Sequence, residues 1–238
     1  MEIGKDKVYI VAEAGINHNG DYGKAKQLVD IAIEAGCNAV KFQTFKKCGK
    51  IPYDNISFKE TYWIKRYCDN KGITFFSTPY SLRAVDFLEA SVPFYKIASA
   101  QIVDHPFVKY IANKGKPIIA STGSYQNDRG LAPDDKVEQF VSLVDRKNLV
   151  LLHCVSIYPY DNFILKDFEH LKKSYPDIPI GFSSHSKNID YTIEAVKNGA
   201  CLVEHHITLD DNFECPDKFV SLNPEELYQL VKRIREIE

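Results

Sequence analysis

The sequence predicts a single α/β domain folded as a closed (β/α)8 barrel, and three observations carry that prediction. Short β-branched runs alternate from end to end with longer stretches of helical periodicity. The runs number eight, and successive run ends lie 19 to 36 residues apart, enough for one crossover helix each and too few for an inserted domain. The length of 238 residues suits such a barrel, whose usual size is about 250. A doubly wound sheet is the competing architecture, but no GxGxxG turn follows the first run. One domain over residues 1–238 is therefore expected.

The first strand is VYIVAEA, ending near Glu13. After the turn GINHNGD, a helix carries Leu28, Ile31, Ala32 and Ala35 at spacings of three and four, a core-facing stripe. NAVKFQT supplies the second strand around Lys41, and Ser57 with Glu60 has the spacing of a capping box ahead of the next helix. ITFFST near Ser77 and FYKIAS around Lys96 follow, and Asp104 before Pro106 opens another helix. PIIAST ends near Ser121, LVLLHCV near Cys154, IGFSSH near Ser183 and CLVEHH near Glu204. Asn223-Pro224 opens the last helix, whose Leu227, Leu230, Val231 and Ile234 form a second stripe, and Gly36, Gly72, Gly115 and Gly199 stand where helices should stop.

Composition narrows the function. With 45% hydrophobic and 26% charged residues the chain is an ordinary globular one, so disorder, collagen and coiled coil are excluded. Thirty basic against 32 acidic residues give a net charge of −2, which generates no field to gather nucleic acid or an anionic membrane. The six cysteines, Cys37, Cys48, Cys68, Cys154, Cys201 and Cys215, show no CxxC pairing, the usage of reduced thiols. No stretch approaches the ~18 apolar residues of a membrane span. A soluble, cytoplasmic protein with a small-molecule ligand is expected.

In a barrel of this kind the active site lies at the carboxyl ends of the strands. Those ends are polar here: Glu13, Lys41, Gln43, Lys96, Ser99, Ser121, Thr122, Ser156, Ser183, His185, Glu204 and His206. Lys41 and Lys96 interrupt apolar strands, where an ammonium group needs a fixed anion. That anion is either a phosphate or carboxylate ligand, helped by the serine hydroxyls, or an internal partner, Glu13 or Glu204. His185 and His206 end neighbouring strands and could share one divalent ion; taken singly, each also reads as a hydrogen-bonded core histidine. His205 should point the opposite way from His206, and His153, mid-strand, reads as structural. GINHNGD reads equally as a well-made turn or as a loop carrying substrate contacts.

The blocks VAEAGINHNGD, AVKFQTF, FFSTPY, YKIAS, GKPIIASTG, LLHCVSIYP, GFSSHS and VEHHITLDDNFECPDKF, in this order, resemble the sialic acid synthase family over nearly the whole chain. The resemblance implies a TIM barrel that condenses phosphoenolpyruvate with an open-chain N-acetylated hexose, giving a nine-carbon 2-keto acid and phosphate for surface or spore polysaccharide. It implies a divalent metal, Mn2+ or Mg2+. By the same resemblance Lys41, Lys96, Ser99, Ser121 and Ser183 hold phosphoenolpyruvate, and Ser156 stands where relatives carry an asparagine touching it. Glu13, Gln43, Tyr158 and Asp217 face the acceptor sugar, Glu13 as acid/base, and His185 and His206 ligate the metal.

The chain departs from the family pattern in four further places: Gln101 replaces a glutamate, Ser184 the aspartate of SDH, Cys215 a glycine, and the loop FKKCGKIPYDN is short. Relatives usually continue into a small antifreeze-like domain that lends an arginine to the acceptor site of a dimer partner. Here a homodimer, or such a domain on a separate chain, is the implied partner. Two other readings fit the same residues: a non-catalytic barrel binding a phosphorylated ligand, and a different metal-dependent aldolase or lyase.

Overall fold

Eight parallel strands alternate with eight helices in the computed structural model, which describes residues 3–4, 6–45, 55–124, 130–160 and 165–238. Cys48 and most of FKKCGKIPYDN lie outside the described residues. The first half runs β1 (Tyr9–Gly15), α1 (Tyr22–Glu34), β2 (Ala39–Thr44), α2 (Phe58–Lys71), β3 (Thr74–Pro79), α3 (Leu82–Glu89), β4 (Tyr95–Ile97) and α4 (His105–Ala112). The second runs β5 (Ile118–Ser121), α5 (Asp134–Val141), β6 (Leu149–Cys154), α6 (Leu165–Ser174), β7 (Ile180–Ser184), α7 (Ile189–Lys197), β8 (Leu202–His206) and α8 (Pro224–Arg235). The sheet order is β3-β2-β1-β8-β7-β6-β5-β4, and β3 lies against β4, which brings the sheet back on itself as a (β/α)8 barrel.

Local chemistry explains the boundaries. Ser57 and Glu60 form the reciprocal capping box of α2, Asp104 caps α4 ahead of its proline, and Asn223 with Glu226 caps α8. The chain leaves α2 at Gly72 with φ 78°, a left-handed turn that a side chain would strain. Leu28 and Ala32 of α1 and Leu227, Leu230, Val231 and Ile234 of α8 are buried against the sheet; Ile31 is half-buried at the edge of the same face. Among the described residues no helix is long and apolar enough to cross a membrane.

Strand register sets the site. Glu13 lies opposite Lys41 on one side and His206 on the other, and Ser183 lies opposite Glu204. In a parallel ladder, residues at one register point to the same face, so these side chains all enter the barrel at one end. His205, one step along, points away, as alternation requires. His153 packs into the core between Phe168 and Phe182.

Two histidines away from the mouth make acid the weak side of this fold. Burial pushes both His18 and His153 down to about 4. The unfolded chain, with histidine near 6.5, therefore binds the extra protons. The stability that these imidazoles contribute is complete above that value and declines as pH falls toward 4, by roughly 1.4 kcal/mol per pH unit for each. Urea unfolding should show a lower midpoint at about pH 5 than at about pH 7, and His153→Phe should flatten that slope. A midpoint indifferent to pH over this range would contradict the assignment.

Candidate active site

The carboxyl ends of the strands surround a cavity of about 460 Å³, a size suited to small-molecule substrates. Lys41, Lys96, His185 and His206 all line it, with Glu13, Gln43, Ser99, Ser121, Tyr158, Ser183 and Asp217. Eleven of the twelve site residues expected from sequence thus share one mouth. Ser156 is the exception. It does not line the cavity, and its buried hydroxyl, without a hydrogen-bond partner, faces Gly123 from behind Ser99. A Cβ built on Gly123 would lie 2.2 Å from that oxygen and 2.9 Å from Ser99 Oγ, so only glycine lets the two serines pack there. Ser156, expected to touch substrate, thus lies buried beside Gly123 and Ser99 rather than on the cavity lining.

Both lysines are almost fully buried, and each has an internal anion. Lys41 Nζ lies 2.8 Å from Glu13 Oε2 and 3.6 Å from Glu204 Oε2, and Lys96 Nζ lies 3.7 Å from Glu204 Oε1. The internal ion pairs read as an alternative to ligand binding therefore exist, but they are incomplete. The Oε2 atoms of Glu13 and Glu204 are buried without any hydrogen-bond partner, so these contacts are close in distance and poorly aligned.

The two carboxyl groups respond differently to their surroundings. Burial works to raise Glu204, but Lys41 and Lys96 outweigh it and hold the group down to about 2. Burial also raises Glu13, and with the like charge of Glu204 it outweighs the single lysine contact, leaving Glu13 above the usual carboxylate range. Lys41, opposed by burial, is nonetheless held up by Glu13 and Glu204. Although the closest pair is Lys41–Glu13, Glu204 is the firmly ionised member because it faces both ammonium groups. Glu13 is the one able to keep and exchange a proton, a division typical of acid/base sites. Lys96 is lowered by burial, which its pairing with Glu204 offsets only in part.

The serine hydroxyls differ in what they have to spare. Ser121 Oγ accepts from Lys96 Nζ at 2.8 Å and keeps its proton for an anionic ligand, whereas Ser99 Oγ accepts from the Gly123 N–H at 3.1 Å and donates to Cys154 Sγ at 3.5 Å, a long contact to a weak acceptor. Ser183 Oγ instead donates to Glu204 Oε1 at 3.0 Å. On the opposite side Glu13, Asp217 and Gln43 converge over Gly15. A Cβ there would lie 3.3, 3.5 and 3.6 Å from Glu13 Oε1, Asp217 Oδ2 and Gln43 Nε2.

The imidazoles fit a divalent ion. His185 Nδ1 donates to the Val155 carbonyl at 2.7 Å, which leaves the Nε2 lone pair facing the mouth, where it accepts from the Tyr158 hydroxyl at 2.5 Å. His206 turns Nδ1 toward Asp217 Oδ2 at 3.3 Å, and its ring centre is 5.5 Å from that of His185. An acceptor behind each Nδ1 is the outer support that metal-bound histidines carry. Among the described residues no three His, Cys, Asp or Glu side chains form a ready-made cage. Two nitrogens with the remaining positions left to water and substrate oxygens suit Mn2+ better than Mg2+.

Thr78, Cys154 and Tyr80 also line the cavity and carried no sequence signal, because each reads as an ordinary strand or turn residue. Thr78 Oγ1 accepts from Lys41 Nζ at 3.3 Å. Three departures from the family pattern fall outside the lining. Gln101 donates to the Pro79 carbonyl at 2.7 Å, Ser184 Oγ accepts from the Ser186 N–H at 3.3 Å, and Cys215 Sγ packs 3.6 Å from Thr208 Oγ1. GINHNGD is the well-made turn: Asp21 caps α1, Asn17 and His18 are fully buried, and Ile16 alone of residues 16–21 lines the mouth.

Comparison with known proteins agrees with this geometry. A model described as the NeuB family matches residues 51–238. N,N'-diacetyllegionaminic acid synthase of Campylobacter jejuni is 36% identical over 98% of this chain and 77% of its own length. The spore coat polysaccharide biosynthesis protein SpsE of Bacillus subtilis is 33% identical over 99% of this chain and 69% of its own. The crystal structure of the N-acetylneuraminic acid synthetase of Leptospira borgpetersenii, in complex with citrate, superposes with a TM-score of 0.88 at 33% identity, covering 97% of this chain and 84% of that one.

Proposed function

Because this chain belongs to the NeuB family, we propose that it is a sugar-acid synthase condensing phosphoenolpyruvate with an open-chain N-acetylated hexose, giving a nine-carbon 2-keto acid and phosphate for polysaccharide biosynthesis. The observation that carries this reading is the pairing, on one cavity, of two buried lysines with two imidazoles.

Lys41 and Lys96 neutralise the phosphate and carboxylate of phosphoenolpyruvate, and the Ser121 hydroxyl, with that of Ser99 turning from Cys154, completes the contacts. Ser183 joins them by turning from Glu204, which stays ionised between the lysines. Gln43, Tyr158 and Asp217 orient the sugar over Gly15 so that C3 of the enol phosphate meets the aldehyde carbon. When bound to His185 and His206, Mn2+ supplies Lewis-acid polarisation of that aldehyde. Glu13 exchanges protons as water adds to C2, and the resulting tetrahedral centre collapses with loss of phosphate through C–O cleavage.

Phosphate release from phosphoenolpyruvate should require both Mn2+ and an acceptor, and a panel of N-acetylated hexoses should identify which one. A folded, Mn2+-loaded preparation that releases no phosphate with any acceptor rejects the proposal.

A further inference from the structure

Asn17, in the turn that the mechanism leaves unused, is fully buried and spends both ends of its amide on the loop that carries Asp217. Its Oδ1 accepts from the Asp217 N–H at 3.1 Å, and its Nδ2 donates to the Ile207 carbonyl at 2.8 Å and to Ser221 Oγ at 3.0 Å. Ser221 Oγ in turn donates to the Asp217 carbonyl at 2.7 Å. The Asp217 peptide is thus gripped from both sides by one side-chain pair that bridges the end of β1 to the segment between β8 and α8.

Grip on that peptide matters because of what the Asp217 side chain faces. Its Oδ2 lies 3.3 Å from the buried His206 Nδ1, an ion-pair approach and the carboxylate contact that faces this nitrogen. With the carboxylate swung away, the His206 ring is free to rotate or take the other tautomer. Asn17 does not line the cavity; it reaches His206 through the Asp217 N–H and through the carbonyl of Ile207, the residue after His206.

We infer that Asn17 is a positioning residue: it locks Asp217 against His206 so that the two histidine Nε2 atoms are preset for a divalent cation. This rests on the reading of the mouth as a cation and substrate site. Three measurements on Asn17→Ala test it. Mn2+ affinity by calorimetry should fall roughly 10–100-fold, the usual cost of losing an outer support. Phosphoenolpyruvate affinity measured without metal should stay within about two-fold, since the lysines do not depend on Asn17. In the double variant Asn17→Ala/Asp217→Ala the loss of Mn2+ affinity should be smaller than the product of the two single losses, because the path through Asp217 is shared.

In the metal-free protein, nitrogen chemical shifts of the His206 ring should report a proton on Nδ1 in the parent and a mixture of tautomers in Asn17→Ala. Unchanged Mn2+ affinity, unchanged ring shifts, or losses that multiply in the double variant would overturn the inference. If Asn17→Ala fails to fold, Ser221→Ala, which releases only one side of the grip, should show the same pattern at smaller size, and its absence counts equally against the idea. A parent protein that neither binds Mn2+ nor releases phosphate would reject the reading of the mouth, while the ring shifts would still decide the role of Asn17.

Discussion

Replacing Lys96 with alanine is expected to abolish phosphoenolpyruvate binding. The ammonium group is buried, touches Ser121 at 2.8 Å and faces Glu204 at 3.7 Å, so its removal takes away a charge-assisted contact that no water can restore. Truncating one member of a desolvated charge set costs about 2–5 kcal/mol, which converts to a loss of affinity between roughly 30-fold and several thousand-fold. Glu204 would be left with Lys41 alone and would repel the incoming anion more strongly. His206→Ala provides the contrast: it should retain phosphoenolpyruvate binding and lose Mn2+ binding. Calorimetry with phosphoenolpyruvate, with and without Mn2+, separates the two, and the reverse pattern would overturn the division of the mouth into anion and cation halves.

Glu13→Gln should stop turnover while sparing both ligands. The substitution keeps shape and hydrogen-bonding capacity but removes the mouth carboxyl that burial raises above the usual carboxylate range. Loss of a positioned acid/base lowers the rate by about 10²–10⁴-fold. Glu204→Gln differs in kind, because Glu204 is the fixed counter-charge of two lysines; it should weaken phosphoenolpyruvate binding or folding rather than turnover alone. Steady-state rates together with binding constants for both variants check this. A Glu13→Gln enzyme at full speed would move the acid/base role elsewhere.

Much of this molecule was legible in its sequence, and the reasons are physical. A barrel strand is a short β-branched run and a crossover helix has a 3.6-residue stripe, so all eight units emerged from periodicity, and the caps at Ser57, Asp104 and Asn223 emerged from side-chain chemistry that acts within one turn. Lys41 and Lys96 stood out because an ammonium in an apolar strand is costly unless something answers it. What answers it was ambiguous, since a nearby glutamate and a ligand give the same sequence pattern; the fold supplies both the glutamates and a cavity beside the two ammonium groups.

Features set by loop trajectories stayed hidden. Ser156 lies just past the end of β6, where alternation no longer dictates direction, and its hydroxyl comes to lie against Gly123 of a different loop. Thr78 resembles any β-branched strand residue, so its contact with Lys41 could not be anticipated. The role of Asn17 depends on bonds spanning 190, 200 and 204 positions, which no local pattern reveals.

The most direct test of the central claim follows the bridging oxygen of phosphoenolpyruvate. With that atom isotopically labelled, and with Mn2+ and an accepted hexose present, the label should leave with inorganic phosphate, because the C–O bond breaks after water has added to C2. Label retained in the keto group of the product, or phosphate released without any sugar consumed, would contradict the account.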